Sequence, residues 1–171
     1  RQWHRRLAEA GYDWLSLPKE FGGQGLPESF EAIFNEELGR AGAPLPLGQG
    51  HLARAIAKFG TPAQKATHLR SLLEHTKRWC QGFSEPGAGS DLASLATRAE
   101  RFTGADGTVR YRIDGQKIWT SDARYSQMCF LLARSEPDWK KHAGLSIFLV
   151  PMHVPGIEVQ TIVTAYGSNE F

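Results

Sequence analysis

Hydrophobic positions recur at helical spacing through residues 1 to about 76 and then alternate with polar ones. Between Glu28 and Arg40, the residues Phe30, Ile33, Phe34 and Leu38 fall on one helical face, and Leu52, Ile56 and Phe59 repeat the pattern before Gly60 ends that helix. Thr61-Pro62-Ala63-Gln64 has the form of a capping box with proline at the first helical position, opening a helix that buries Leu69, Leu72 and Leu73. These apolar stripes are expected to be core. The helices are separated by two connections rich in Gly and Pro, G-Y-D-W-L-S-L-P-K-E-F-G-G-Q-G-L-P and A-G-A-P-L-P-L-G-Q-G. Connections of that length in a compact domain tend to carry function or form an interface.

From about Arg78 the period is two. Val109, Tyr111 and Ile113 alternate with Arg110, Arg112 and Asp114, and Asp106-Gly107 and Asp114-Gly115 mark turns on either side. Met128 to Ala133, Leu145 to Val150 and Ile157 to Ile162 are further predicted strands. Short strands at this spacing predict an antiparallel barrel or sandwich. The fold class is therefore α+β, with a partial helical domain over residues 1–76 followed by a β domain over residues 77–171, and no repeat or low-complexity segment.

Composition narrows the function classes. The 171 residues carry 20 Lys plus Arg against 18 Asp plus Glu, and a net charge of +2 gives no field to attract nucleic acid or an anionic membrane. Arg1, Arg5 and Arg6 read as a solvated helix face. Cys80 and Cys129 each sit in an apolar, strand-like run and are expected to be buried thiols of a reducing compartment. The six histidines lack metal-ligand spacing; His68 and His75 share a helical face without an acidic or cysteine partner and are expected on the surface, so no metal site is assigned. No leader pattern opens the sequence, and no apolar run approaches the ~18 residues of a transmembrane helix, which makes a soluble, cytoplasmic protein the expectation. The start at Arg1 and the close at G-S-N-E-F read as cut ends of a longer chain.

One stretch carries candidate chemistry: W-C-Q-G-F-S-E-P-G-A-G-S-D-L, from Trp79 to Leu92, begins as a buried strand and breaks into glycines and serines around an acidic pair. It departs from the dinucleotide fingerprint, because leucine stands where the third glycine is needed, and from the P-loop, because Ser90 and Asp91 follow Gly89 in place of Lys-Ser/Thr. The nucleophile elbow G-x-S-x-G fails only at Pro86, which leaves a serine hydrolase as a distant alternative. A Gly-rich turn also presents successive backbone N–H groups to an anion, with a serine hydroxyl as a further donor, and so suits a phosphate or pyrophosphate; an ordinary interstrand turn is the competing reading. The loop follows the first strand of the β half, beside the helical half, and domain junctions often hold cofactors. The second stretch is Q-K-I-W-T-S-D, Gln116 to Asp122, in which a strand ends in tryptophan, two hydroxyls and a carboxylate. An aromatic followed by donors suits one wall of a flat heteroaromatic ligand, and equally a core tryptophan at a strand end.

The pair S-E-P-G-A-G-S-D and G-Q-K-I-W-T-S, following a helical segment with an L-P-K-E-F-G-G-Q-G loop, resembles the acyl-CoA dehydrogenases, and F-L-L-A-R-S, G-L-S-I-F-L-V-P and G-S-N-E-F fit the same pattern. The resemblance covers nearly the whole chain. It implies FAD as cofactor, with Gln81, Phe83 and Ser84 against the flavin ring, Gly89 and Ser90 at the pyrophosphate or, for Ser90, at the neighbouring acyl-CoA chain, and Trp119 covering the flavin. A hydroxyl after the tryptophan would bond near flavin N5; alignment gives that contact to Ser121, while Thr120 replaces an apolar residue and stays an alternative. The family's T-E-P is S-E-P here, and its W-I-T-N is W-T-S-D, which puts the carboxylate of Asp122 near the ring.

The reaction so implied is α,β-dehydrogenation of an acyl-CoA thioester to the 2-enoyl-CoA, a step of fatty acid or lipid β-oxidation, with electrons passed to an acceptor flavoprotein. In the family the base is a carboxylate of a C-terminal helical domain, expected beyond Phe171, so no catalytic residue is assigned in this chain, which alone is expected to be inactive. Glu85 is read as fixing loop geometry, and Glu36 and Glu37 as a solvated face. The resemblance also implies a homo- or hetero-oligomer, a dimer or tetramer. The alternative from another class is a non-catalytic or partner-dependent subunit that binds flavin or thioester while another chain provides the base.

Overall fold

The computed structural model describes residues 2–44, 49–138 and 141–171. Arg1 and residues 45–48 of the second Gly/Pro-rich connection lie outside the described residues. Contacts group the chain into two compact units, Arg1–Lys77 and Arg78–Phe171.

The first unit holds α1 (Gln2–Glu9), α2 (Ser29–Arg40), α3 (Gly50–Phe59) and α4 (Pro62–Leu73). The capping box forms as written: Thr61 Oγ1 accepts from Gln64 N–H at 3.2 Å and Gln64 Oε1 accepts from Thr61 N–H at 2.9 Å. Leu52, Ile56, Leu69 and Leu72 are buried, with Leu72 fully so. Three expected core positions are not core. Phe30 and Ile33 are 46% and 55% exposed, although on the same face Leu38 is buried and Phe34 stacks on Tyr12, and Phe59, at the last turn of α3, is 78% exposed. Their place is taken by the first Gly/Pro-rich connection, which drives Trp14, Leu15 and Leu17 into the core. Apolar side chains in a connection gain as much from burial as those on a helix, and this segment secures its backbone with bonds such as Gly25 N–H to Leu17 O at 2.9 Å.

His75 corrects a second expectation. Its side chain is 4% exposed, with Nε2 2.6 Å from the equally buried Asp13 Oδ2. A buried carboxylate needs such a partner, and Asp13 lies too far away in sequence for helical spacing to reveal it.

The second unit is a sheet of five strands among the described residues: β1 (Trp79–Gly82), β2 (Arg98–Thr103), β3 (Val109–Asp114), β4 (Met128–Arg134) and β5 (Leu145–Pro151). With four helices preceding them, this is an α+β chain. Antiparallel pairing holds for β2–β3 and β4–β5, whereas β1 runs parallel to β4 with Cys80 opposite Cys129, and β2 meets β4 in parallel at Arg98 and Arg134. The sheet is therefore mixed. The parallel pair follows from the connection: the chain leaves β1, makes the Gly-Ser loop and the β2–β3 hairpin, and returns beside β1 in the same direction, as only a long crossover allows. Both cysteines are buried free thiols. Residues 157–162, predicted as a strand, belong to none: they pair with no described strand, and Ile162 N–H donates instead to Phe171 O at 2.8 Å. No described helix is long and apolar enough to cross a membrane.

Candidate functional site

In β1 the face carrying Cys80 and Gly82 is buried, and on the other face Trp79 is buried while Gln81 is exposed. The chain then leaves the sheet at Phe83, whose ring stacks 6.0 Å from that of Phe130. Glu85 and Ala88 exchange N–H···O bonds of 3.0 and 3.1 Å, closing a tight turn around Pro86 and Gly87. Only a short 3-10 turn, Leu92–Ser94, follows, so the strand–turn–helix of a nucleophile elbow does not form at Ser84.

Past the turn the backbone is open. Neither Gly87 nor Gly89 adopts a left-handed conformation, and a Cβ added at either would meet no atom within 4 Å. Neither strain nor packing within the chain asks for glycine here; what a missing Cβ leaves at these two positions is room for something to approach the main chain closely. Among the described residues, the N–H groups of Gly87, Gly89 and Ser90 have no acceptor, and Gly89 and Ser90 are exposed. Unpaired main-chain donors on an open loop are what an anion would draw on.

Glu85 anchors the loop from inside. Its Oε1 accepts from Thr97 N–H at 2.9 Å, Thr97 Oγ1 at 2.5 Å and Lys117 Nζ at 2.8 Å, and its Oε2 from Ala96 N–H at 2.6 Å. Burial alone pushes the Glu85 carboxyl up, but Lys117, then Thr97 and the two backbone donors, outweigh it and hold the pKa down at about 2. For Lys117 burial wins and lowers its pKa, opposed by Glu85. A carboxylate so engaged is a poor proton acceptor near neutral pH, in agreement with a geometric role for Glu85.

The second segment is bound to the first. Lys117 Nζ also donates to Phe83 O at 3.0 Å, and Ile118 N–H donates to Ser84 O at 2.9 Å. Trp119 follows with φ of +59° and is 57% exposed, its indole touched edge-on by Phe171 at 5.6 Å. It is an open wall, not a core tryptophan. Thr120 Oγ1 is sealed from solvent and has no hydrogen-bond partner among the described residues, whereas Ser121 is exposed. An incoming ligand meets accessible atoms first, which favours Ser121 as the presented hydroxyl. Asp122, also exposed, takes a φ of +61°, donates its N–H to Glu170 O at 2.8 Å, and lies 3.7 Å from Arg78 Nη1.

The structure thus joins Phe83 and Ser84 to the Trp119 segment, with Gln81 just before them on β1 and Gly89 and Ser90 beyond the turn. Lys117, Thr97 and Gly115 were missed by sequence reasoning. The lysine in Q-K-I-W had a signal, since a lysine inside an apolar strand-like run needs a buried partner. Gly115 had none, because its reason is Thr97: a Cβ there would stand 2.3 Å from Thr97 Oγ1.

Comparison with known proteins agrees with this geometry. The family model described as acyl-CoA dehydrogenase, N-terminal domain, matches residues 1–76, and that described as acyl-CoA dehydrogenase, middle domain, matches residues 80–171. Over its full length the chain is 47% identical to the acyl-CoA dehydrogenase IpdE1 of Mycobacterium tuberculosis and spans 44% of that protein. The corresponding figures for IpdE1 of Mycolicibacterium smegmatis are 44% identity and 46% of its length, so the chain spans less than half of these relatives. Among solved structures, the ChsE4-ChsE5 complex of Mycobacterium tuberculosis superposes with a TM-score of 0.84 at 35% identity, over 99% of this chain and 43% of the other. A structure described as the Tcur3481-Tcur3483 steroid ACAD gives 0.82 at 36% identity, over 97% and 42%. With both models matched and the two motifs held together in space, the chain belongs to the acyl-CoA dehydrogenase family.

Proposed function

We propose that this chain forms one side of an FAD site in an enzyme that dehydrogenates an acyl-CoA thioester between its α and β carbons. The observation that carries the reading is the pair Gly87 and Gly89, where nothing in the chain requires glycine and unpaired N–H groups stand beside an exposed Ser90. The donors suit the pyrophosphate, and Ser90 also suits the acyl-CoA chain beside it. Gln81, Phe83 and Ser84 would hold the flavin ring from one side, and Trp119, with its accessible indole, would cover it. FAD, when bound, accepts the hydride released from the β carbon. The part of this chain is to bind and orient: Ser121, the more accessible of the two candidate hydroxyls, would offer a hydrogen bond near N5, while the Thr120 hydroxyl is sealed from solvent. Glu85 keeps its proton off and so leaves removal of the α proton to a base from elsewhere.

That division favours a second reading, in which a partner chain supplies the base. Two of the similar structures are named as pairs, ChsE4-ChsE5 and Tcur3481-Tcur3483, and a hetero-oligomer of this kind is our proposal for the assembly, with a flavoprotein as electron acceptor. The name steroid ACAD given to one neighbour supports a bulky, polycyclic acyl group as substrate. Retention of FAD through desalting by the intact protein tests the reading, with Gly89→Ala as the discriminating variant. The parent is expected to keep its flavin and the variant to lose affinity by roughly tenfold, the worth of about one good contact. Equal retention by both would place the ligand elsewhere.

A further inference from the structure

Resting on the flavin reading above, we propose that Glu85 and Lys117 are positioning residues, one buried ion pair that holds the anion-receiving loop and the Trp119–Ser121 segment at the separation a flavin dinucleotide requires. Neither side chain is built to touch the cofactor, since Lys117 is 11% exposed and Glu85 7%. Both act on residues that are. Lys117 stands two positions before Trp119 and spends its donors on Phe83 O and Glu85 Oε1, so the same ammonium group grips the loop's first arm and its acidic anchor.

The anchor cannot drift. Four donors converge on the Glu85 carboxylate, two of them main-chain N–H groups leading into β2. Thr97, one of those donors, sits in the space that Gly115 leaves by having no Cβ. Glu85, Thr97, Gly115 and Lys117 therefore close a ring, because Gly115 and Lys117 are neighbours but one along the chain that runs on into Trp119. The indole has little else to aim it: among the described residues its one ring contact is Phe171, and more than half of its surface faces solvent. Its direction is inherited from the backbone that Lys117 and Ile118 fix to the loop.

A buried ion pair that serves stability alone is replaceable by apolar groups of similar volume with little loss. A pair that sets the spacing of a site is not. The test uses the intact protein with Glu85→Gln, Lys117→Met and the double variant, which leaves no buried charge unpaired. FAD affinity is measured by titration, and the emission of bound flavin reports how well the indole quenches the ring, with Trp119→Leu as the unquenched reference. The double variant is expected to unfold cooperatively near the parent temperature, to bind FAD about tenfold more weakly or worse, as a sub-ångström misplacement does, and to show emission raised towards that of Trp119→Leu. Parent-like quenching in the double variant overturns the proposal, with or without weaker binding. A parent that retains no flavin overturns the underlying reading as well. If the double variant does not fold, Thr97→Val, which removes one donor to Glu85 at constant shape, carries the same test: raised emission supports the proposal and parent-like emission overturns it.

Discussion

Asp122 shows how much a single side chain can alter this site. It follows the two hydroxyls, holds a left-handed backbone that Asp and Asn both tolerate, and has a guanidinium at 3.7 Å as its only charged partner among the described residues. A carboxylate beside the ring opposes added electrons, so Asp122→Asn is expected to raise the flavin potential in a dye-equilibrated titration; an unchanged potential would contradict the placement. Glu85 gives a pH-dependent counterpart. Its folded pKa of about 2 lies below the ordinary 4.5, so the stability it contributes is fully present above pH 4.5 and lost as pH falls towards 2. The difference in unfolding free energy between the parent and Glu85→Gln should be constant near neutrality and shrink across that acid window, whereas a pH-independent difference would refute the carboxylate's role. Gly89→Ala should behave in the opposite manner to a core mutation: its space is open and its backbone ordinary, so stability should hold or rise by up to roughly 1 kcal/mol while flavin affinity falls. At this scale the sequence displayed the loop glycines, the tryptophan and the hydroxyls, because their chemistry is local. It concealed the partners of His75 and Lys117, since Asp13 and Glu85 are brought to them only by the fold.

Among the elements, those with both a period and a cap were legible. α4 has a proline start and a reciprocal capping box, and it forms from Pro62 as the letters dictate. Removing the cap oxygen with Thr61→Ala should cost about 1 kcal/mol in denaturant unfolding, and a cost near zero would mean that α4 is held by packing alone. The alternating run at Val109–Asp114 likewise formed a strand. What periodicity could not supply was the partner. The apolar side of α2 carries Phe30 and Ile33 at perfect helical spacing, yet both stay exposed while Leu38 on the same side is buried. Residues 157–162 have strand composition yet pair with no described strand, and β1 pairs in parallel because of where the crossover returns it. A hydrophobic pattern states which face wants burial and leaves open what buries it.

For the whole molecule, the helical unit and the mixed sheet each form a core within a chain that spans 44% of its Mycobacterium tuberculosis relative, and the activity proposed here belongs to the intact protein. Near-neutral charge, an open glycine loop and an exposed tryptophan together point to a small flat anionic cofactor rather than to a polymer. The most direct measurement is the visible spectrum of the intact protein, loaded with FAD, desalted and mixed anaerobically with acyl-CoA thioesters that include a polycyclic one. The account predicts a retained flavin band that bleaches on mixing. A protein that emerges from desalting without flavin, or whose flavin band is unmoved by every thioester, would contradict it.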